Sequence, residues 1–317
     1  MVACSSATRC FFGDEAASFE VWRDMSSPKL SVCIPTFSRR EQVIATATVV
    51  CEQLPAGSEV VISDNGSSDG TVDAVRAFIA ARPNVQVRLV SHVTNVGFDR
   101  NVLDVVANAR GEYCWLLGDD DLPRGGAVAR VISELRHHPD LVHLLVNHAR
   151  FDVSRNAITK ARMVAMAYDV DPATASDFFF QPCPPPSYFR RLGTNVITLS
   201  ANVVHRARWL EAATGAEQFV GTNMVHVFVI AAMLSQPGRT RFVSTPLYDY
   251  ACNNHRPWSN DVWHDYNTRV YAWLRQLGYD PVRLSEVEAE EVTYRTWREF
   301  ARAIRDRVLG RRKRAGA

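Results

Sequence analysis

The chain has 317 residues, of which 47% are hydrophobic and 22% are charged, and its formal net charge at neutral pH is +2. A chain of this size and composition is expected to bury a core without disulfides, and its weak net charge gives no case for a nucleic-acid partner. No apolar run approaches the roughly 20 residues of a membrane-spanning helix, and the N-terminus lacks the apolar segment of a signal peptide.

In chain order, an N-terminal extension over 1–27 is followed by a regular alternation of patterns. Apolar runs within 29–35, 58–70, 85–92 and 112–118 predict four strands, and each run is followed by apolar residues at helical spacing. Strand and helix in alternation predict an α/β fold, in which helices cover both faces of a mostly parallel sheet.

Residues from about 150 to 260 are expected to complete the sheet, with strands at 195–205 and 242–250. A proline-rich aromatic stretch, 177–189, is either a loop over the site or a packed irregular loop. The polar stretch 253–261 is a candidate lid on composition alone.

The end of the chain, from about residue 284, is predicted to be helical. Tyr294, Trp297, Ala301 and Ile304 form a stripe that either packs on the domain or lies on a membrane surface. The basic segment 307–317 is typical of a solvated tail, and a peripheral contact with anionic lipid at the inner face of the plasma membrane is the alternative.

The seven cysteines are odd in number, and no two have the close spacing of a zinc site. Cys33 and Cys114 lie inside apolar runs, where cysteine acts as a small hydrophobic residue. This use of cysteine predicts free thiols and a reducing, cytoplasmic location.

Polar clusters follow the first four predicted strands, at 35–40, 63–67, 95–101 and 119–121. Ligands of open α/β sheets bind beyond the carboxyl ends of the strands, so these clusters are expected to gather at one edge. Neither G-x-G-x-x-G nor G-x-x-x-x-G-K-[ST] occurs, which counts against dinucleotide and ATP-loop sites.

The acidic triplet, Asp119, Asp120 and Asp121, directly follows a predicted buried strand. The strand holds the three carboxylates close together, so they repel one another. Proteins usually hold Mg²⁺ through one or two carboxylates and substrate phosphates. The triplet therefore predicts a cation site for a diphosphate, with a solvated acidic turn as the alternative. Asp64 either accepts a hydrogen bond from a base or closes an Asx turn, and Arg100 either meets a phosphate or base or stays on the surface.

Four segments in order, LSVCIPTFSRR, VVISDNGSSDGT, NVGFDRN and ARGEYCWLLGDDD, resemble the family 2 glycosyltransferases over roughly residues 29–150. Within that family they are similar to the bacterial surface-polysaccharide branch, which includes abequosyltransferase-like proteins. The resemblance implies a GT-A-type domain over 28–260, with a nucleotide-sugar-binding half at 28–150 and an acceptor half at 151–260. A C-terminal helical region with a basic tail, 261–317, would follow.

The same resemblance implies an inverting hexosyl- or deoxyhexosyltransferase. It would move a sugar from a nucleotide-diphosphate sugar to a glycan or lipid-linked glycan, with Mn²⁺ or Mg²⁺ as cofactor. Metal binding is implied for Asp121 and Asp119, as a form of the D-x-D motif in which Gly118 stands where many relatives carry the first acid. The implied nucleotide-binding residues are Pro35, Thr36, Phe37, Arg40, Asp64, Asn65, Arg100 and Asp120.

The general base is harder to place. Family members often carry it in an acidic pair beyond the first half, and the corresponding segment here, 215–234, has no such pair. Glu217 and His226 are the candidates, and the alternatives are an exposed helix-end charge and a buried core histidine. The missing pair leaves open a non-catalytic nucleotide-binding relative. A sugar-1-phosphate nucleotidyltransferase is the other alternative, although PTFSRR is not glycine-rich.

Overall fold

The computed structural model describes residues 29–172, 174–187, 190–252 and 260–290, without the side chains of residue 176 and residues 260–267. The predicted N-terminal extension, the polar stretch at 253–259, the apolar stripe near the C-terminus and the basic tail lie outside these residues. The chain elsewhere forms one mixed α/β domain.

Nine strands are found in the described parts of the chain. They are β1 (Leu30–Thr36), β2 (Ser58–Asp64), β3 (Val87–Ser91), β4 (Tyr113–Leu116), β5 (Leu122–Pro123), β6 (Leu141–Asp152), β7 (Ala157–Lys160), β8 (Asn202–His205) and β9 (Arg239–Cys252). The four strands predicted in the first half correspond to β1, β2, β3 and β4, and the strand predicted at 242–250 corresponds to β9.

The helices between them are α1 (Arg40–Gln53), α2 (Thr71–Ala80), α3 (Phe98–Asn108), α4 (Ala127–His137), α5 (Ala175–Phe180), α6 (Arg206–Ala216), α7 (Val225–Leu234) and α8 (Asn260–Gln276). Residues 281–290 are also helical. Across the described ranges, none of the helices combines the length and the apolar character that crossing a bilayer demands.

The described strands form a single sheet in the order β3-β2-β1-β4-β8-β6-β9-β5, with β7 beside β6. The first four strands in this order are parallel, as are β6 and β9. The sheet is mixed beyond β4, because β8 is antiparallel to both β4 and β6, and β5 is antiparallel to β9.

Two apolar cores cover the two faces of the sheet, because successive residues of a strand point to opposite sides. In β1, Cys33 belongs to one core, which includes residues of α3 and α7. Val32 and Ile34 belong to the other core, which includes residues of α1 and α4. Every residue of β1 is buried, so the continuous apolar run that predicted this strand reflects cover on both faces.

Two segments of the second half differ from the sequence-based expectation. Only 202–205 of the strand predicted at 195–205 is extended, and short 3-10 turns precede it. The Asn202 side-chain amide donates hydrogen bonds to the carbonyls of Val196, Thr198 and Leu199, which holds these turns closed. Within 177–187, the aromatic residues are packed rather than laid over a site, since Phe178, Phe179 and Phe180 are buried.

Candidate active site

The carboxyl edge of β1, β2 and β4 brings the four predicted polar clusters together. In the parallel register of β1 and β2, Thr36 lies opposite Asp64. The Ser63 carbonyl accepts a hydrogen bond from Asn101 Nδ2 at 3.0 Å, and Thr36 Oγ1 donates to Asp119 Oδ2 at 2.7 Å. These bonds tie the clusters that follow β1, β2, β3 and β4 into one polar edge, as the sequence predicts.

Asp64 is fully buried at this edge. Its Oδ2 accepts a hydrogen bond at 3.0 Å from the amide of Ser67, three residues further along, one more than in the predicted Asx turn. Its Oδ1 has no hydrogen-bond partner within the described part of the chain. A buried acceptor without a donor is costly, and an N–H group of a bound base would satisfy it.

The segment 92–97 is held against the end of β2 by side-chain amides. Asn65 Nδ2 donates to Asn95 Oδ1 at 3.0 Å, and the Val96 amide donates to Asn65 Oδ1 at 2.8 Å. Gly66 allows this close approach: its φ is +71°, and a Cβ there would lie 2.5 Å from the carbonyl carbon of Thr94.

Gly66→Ala is expected to destabilise the protein by several kcal/mol, because it adds a backbone clash to the roughly 1–2 kcal/mol cost of a left-handed conformation. Gly57→Ala is the matched control, since Gly57 has φ +78° but a Cβ there would meet nothing within 4 Å. Urea unfolding of both variants measures the difference. Equal losses of stability would show that segment 92–97 does not press on Gly66.

The first two carboxylates of the acidic triplet share a counter-charge. Asp119 is 7% exposed, and its Oδ1 accepts a hydrogen bond from Arg39 Nη1 at 3.2 Å. The same guanidinium nitrogen forms an ion pair with Asp120, whose side chain is 19% exposed. Arg39 therefore stands between these two acids and holds them in place.

The third carboxylate, Asp121, is 4% exposed and is held by the second half of the chain. Ser200 Oγ donates to its Oδ2, and the Ala251 amide donates to its Oδ1 at 2.9 Å. Burial, followed by repulsion from Asp120, raises the pKa of Asp119 to about 7 and that of Asp121 to about 8. A nearby cation would relieve both effects.

Three side-chain oxygen atoms lie close to Gly118. A Cβ on Gly118 would lie 3.1 Å from Asp121 Oδ2, 3.4 Å from Ser200 Oγ and 3.5 Å from Asp120 Oδ1. Oxygen donors of this kind suit hard divalent cations. In the ranges that the structure describes, no three His, Cys, Asp or Glu side chains form a cation site by themselves. The carboxylates of Asp120 and Asp121 and the Ser200 hydroxyl are the oxygen donors gathered near Gly118.

The predicted nucleotide-binding residues at the end of β1 and just after it fall into two groups, one buried and one exposed. Pro35 and Thr36 are buried as the last residues of the strand, whereas Phe37 is 43% exposed and Arg40 is exposed at the start of α1. The side chains of Phe37 and Arg40 are thus accessible from solvent, whereas the Thr36 hydroxyl donates its hydrogen bond to Asp119.

Arg100 and Glu217 contact each other, although the sequence gives them separate roles. Arg100 is predicted to bind a phosphate or the nucleobase, and Glu217 is a candidate for the general base. Arg100 Nη1 and Nη2 donate to Glu217 Oε1 and Oε2 at 2.8 and 2.6 Å. These hydrogen bonds lower the pKa of Glu217. The other base candidate, His226, is 2% exposed; its Nε2 lies 3.0 Å from the Ile197 carbonyl oxygen, and burial lowers its pKa.

Three side chains that shape the site have no assigned role in the sequence-based prediction: Arg39, Ser200 and Asp99. Arg39 lies inside PTFSRR, where a cation next to a strand end was the available signal. Asp99 accepts hydrogen bonds from three backbone amides of the 221–225 segment. Ser200 is 79 positions from Asp121, so no local pattern links the two residues.

Solved structures share this architecture. The structure of S. aureus TarS 1-349 in complex with UDP has a TM-score of 0.61 at 15% identity, covering 83% of this chain and 70% of that one. The mannosyltransferase PcManGT from Pyrobaculum calidifontis, in complex with GDP-Man and Mn²⁺, has a TM-score of 0.50 at 18% identity, covering 87% and 74%. At such low sequence identity, structural similarity establishes the fold and not the function. It confirms the predicted GT-A-type α/β fold.

The class that the fold defines is therefore the GT-A-type domain. Residues 31–198, more than half of the chain, match the family model for glycosyl transferase family 2. The chain belongs to glycosyltransferase family 2.

Two curated relatives agree with this family. Abequosyltransferase RfbV of Salmonella typhimurium is 26% identical over 226 residues, which are 69% of this chain and 65% of the relative. A PGL/p-HBAD biosynthesis glycosyltransferase of Mycobacterium bovis is 31% identical over 126 residues, which are 38% of this chain and 47% of the relative. The chain thus spans less than two thirds of the length of either relative, and its similarity to abequosyltransferase-like proteins is confirmed.

Proposed function

We propose that the protein transfers a sugar from a nucleoside-diphosphate sugar to an acceptor hydroxyl, with inversion at the anomeric carbon and with a divalent cation. The acidic triplet at the carboxyl edge is the observation that carries this proposal. Two of its carboxylates are buried and have raised pKa values, which is an unfavourable arrangement for a purely structural turn. A site that receives a cation and a diphosphate accounts for it.

We assign different binding roles to the residues at the carboxyl edge. Asp64 Oδ1 would accept from an N–H of the base, since it is buried without a partner within the described ranges. Asp120 and Asp121 would hold the cation beside Gly118, where its charge would offset that of the departing diphosphate. Asp119, the second ligand predicted from the sequence, would orient the site through Thr36 and Arg39.

Glu217 is the proposed general base. It would take the proton of the acceptor hydroxyl as the new C–O bond forms and the bond to the diphosphate breaks. Its side chain is 50% exposed and therefore accessible from solvent, whereas His226 is buried in α7. His226 stays a second prediction that would require the acceptor to enter the core.

The relatives support the proposed substrate class. An abequosyltransferase and a PGL/p-HBAD biosynthesis glycosyltransferase support a role in glycan assembly, with a hexosyl or deoxyhexosyl donor and a glycan or lipid-linked acceptor. The family membership disfavours the alternatives of a nucleotidyltransferase and a non-catalytic relative.

A thermal-shift panel of UDP, GDP, CDP and dTDP, each with and without Mn²⁺, tests the proposal. At a concentration of 100 times Kd, the cognate diphosphate is expected to add about 2.7 kcal/mol of stability and to raise Tm by about 5–10 °C. EDTA should reverse the shift. A protein that none of the four diphosphates stabilises, with or without Mn²⁺, would contradict both the donor class and the cation.

A further inference from the structure

We propose that the Arg100–Glu217 ion pair is a donor-sensitive pair, in which Glu217 holds Arg100 until a phosphate of the donor takes its place. Donor binding would then transfer Arg100 to the phosphate and release Glu217 toward the acceptor. The inference rests on the proposed function and adds an order of events. The general base, Glu217, becomes available only after the donor has bound.

The geometry of the pair favours exchange. The Arg100 guanidinium meets the Glu217 carboxylate with two parallel hydrogen bonds, at 2.8 and 2.6 Å. A guanidinium binds carboxylate and phosphate oxygens with the same two-pronged geometry. The side chains are 36% and 50% exposed, and exposed pairs contribute little to stability. A phosphate can therefore replace the carboxylate at low cost.

The position of Arg100 places this exchange at the carboxyl edge. Its neighbour Asn101 is 2% exposed and donates its amide to the Ser63 carbonyl near the end of β2, at 3.0 Å. Ser63 Oγ in turn donates to Asn101 Oδ1 at 2.6 Å. These bonds anchor the first turn of α3 to the residue before Asp64, so the backbone of Arg100 is held next to the residue proposed to bind the nucleobase.

A separate contact keeps the segment that follows Glu217 in place when the pair opens. Asp99, 2% exposed, accepts hydrogen bonds from the amides of Gly221 and Asn223 at 2.7 Å and of Val225 at 3.0 Å. Gly221 and Asn223 have left-handed backbones, with φ of +100° and +60°, which turn these amides toward one carboxylate. Adjacent residues thus have different roles: Asp99 anchors the segment, and Arg100 is free to change partner.

Pairing also affects the chemistry of Glu217. Hydrogen bonds from Arg100 lower the pKa of this carboxyl group, and a carboxylate engaged in two charge-assisted bonds is a poor proton acceptor. When a phosphate removes Arg100, both oxygens of Glu217 can approach an acceptor hydroxyl. Glu217 is therefore inactive in the donor-free protein and becomes active beside a bound donor.

Calorimetric binding of a nucleoside diphosphate in the presence of Mn²⁺ tests the exchange without any turnover. The probe is whichever of UDP, GDP, CDP and dTDP stabilises the wild-type protein. Glu217→Gln removes the competing charge, so Kd should fall by about two- to fivefold. Arg100→Gln should raise Kd by about tenfold or more, and in that background Glu217→Gln should have no effect.

Glu211→Gln is the matched control, because Glu211 is 75% exposed, pairs with Arg208 at 3.8 Å and undergoes the same change of charge. Its Kd should equal that of the wild type. A Glu217→Gln variant with unchanged or weaker affinity, or one whose gain persists without Arg100, overturns the exchange. A wild-type protein that binds none of the diphosphates would instead reject the proposed function. Damage to the fold cannot mimic tighter binding.

Discussion

Asp121→Asn is expected to abolish cation-dependent transfer, with turnover reduced on the order of 10³-fold or more. Charge stabilisation by a bound cation contributes several kcal/mol to the transition state, and about 4 kcal/mol corresponds to that factor. Asn has the shape of Asp and can still accept from the Ala251 amide, which donates to Asp121 Oδ1 at 2.9 Å. The change therefore removes the charge while preserving the turn.

Release of nucleoside diphosphate from a nucleotide sugar, measured over a range of Mn²⁺ concentrations, gives the comparison. Asp73→Asn is the control, because Asp73 lies on α2 with an 84% exposed side chain and should leave turnover unchanged. If Asp121→Asn keeps the wild-type dependence on Mn²⁺, Asp121 is not a ligand. Unfolding curves of the variant must match those of the wild type for the comparison to count.

Asp99→Ala is expected to lower the free energy of unfolding by about 3–5 kcal/mol. A hydrogen bond to a charged group contributes about 1.5–3 kcal/mol, and Asp99 accepts one from the buried amide of Val225 and two from the part-buried amides of Gly221 and Asn223. Two of these amides lie just ahead of α7 and the third belongs to its first residue, Val225, so the start of that buried helix would also be weakened.

Urea unfolding measures this loss, and thermal unfolding should show a decrease in Tm of about 10 °C. Asp73→Ala provides the surface reference, and its effect should stay within about 0.5 kcal/mol. A loss below about 1 kcal/mol for Asp99→Ala would mean that water satisfies the three amides, and that the 221–225 segment is not anchored as described.

The first half of the fold was predictable because its strands are local and fully covered. Continuous apolar runs, such as the one that became β1, identify strands buried on both faces, and the polar residues after them mark the carboxyl edge. β6 carries no such clear boundary and no pattern identified it. The segment 195–201 contains apolar residues typical of a strand, but the Asn202 side chain closes it into turns.

The site was predictable where the chemistry lies in one short segment. The acidic triplet and Asp64 are visible in the sequence as strand-end carboxylates, and Gly118 is visible as a departure from the family pattern. The pairing of Arg100 with Glu217 was not predictable, because the residues are 117 positions apart and each has a plausible separate role. Long-range partners of this kind are fixed by sheet order, which local patterns do not encode.

The hydrogen bonds of Asp121 have a consequence for how the protein is made. The parallel strands β1, β2, β3 and β4 lie within the first part of the domain and can pair as the chain leaves the ribosome. The partners of Asp121 come much later, since Ser200 is 79 positions and Ala251 is 130 positions further along. Thr36 and Arg39 can hold Asp119 and Asp120 early, but Asp121 lacks its full set of partners until β9 has been synthesised. The surroundings of Asp121 are therefore among the last parts of the acidic edge that the nascent chain completes.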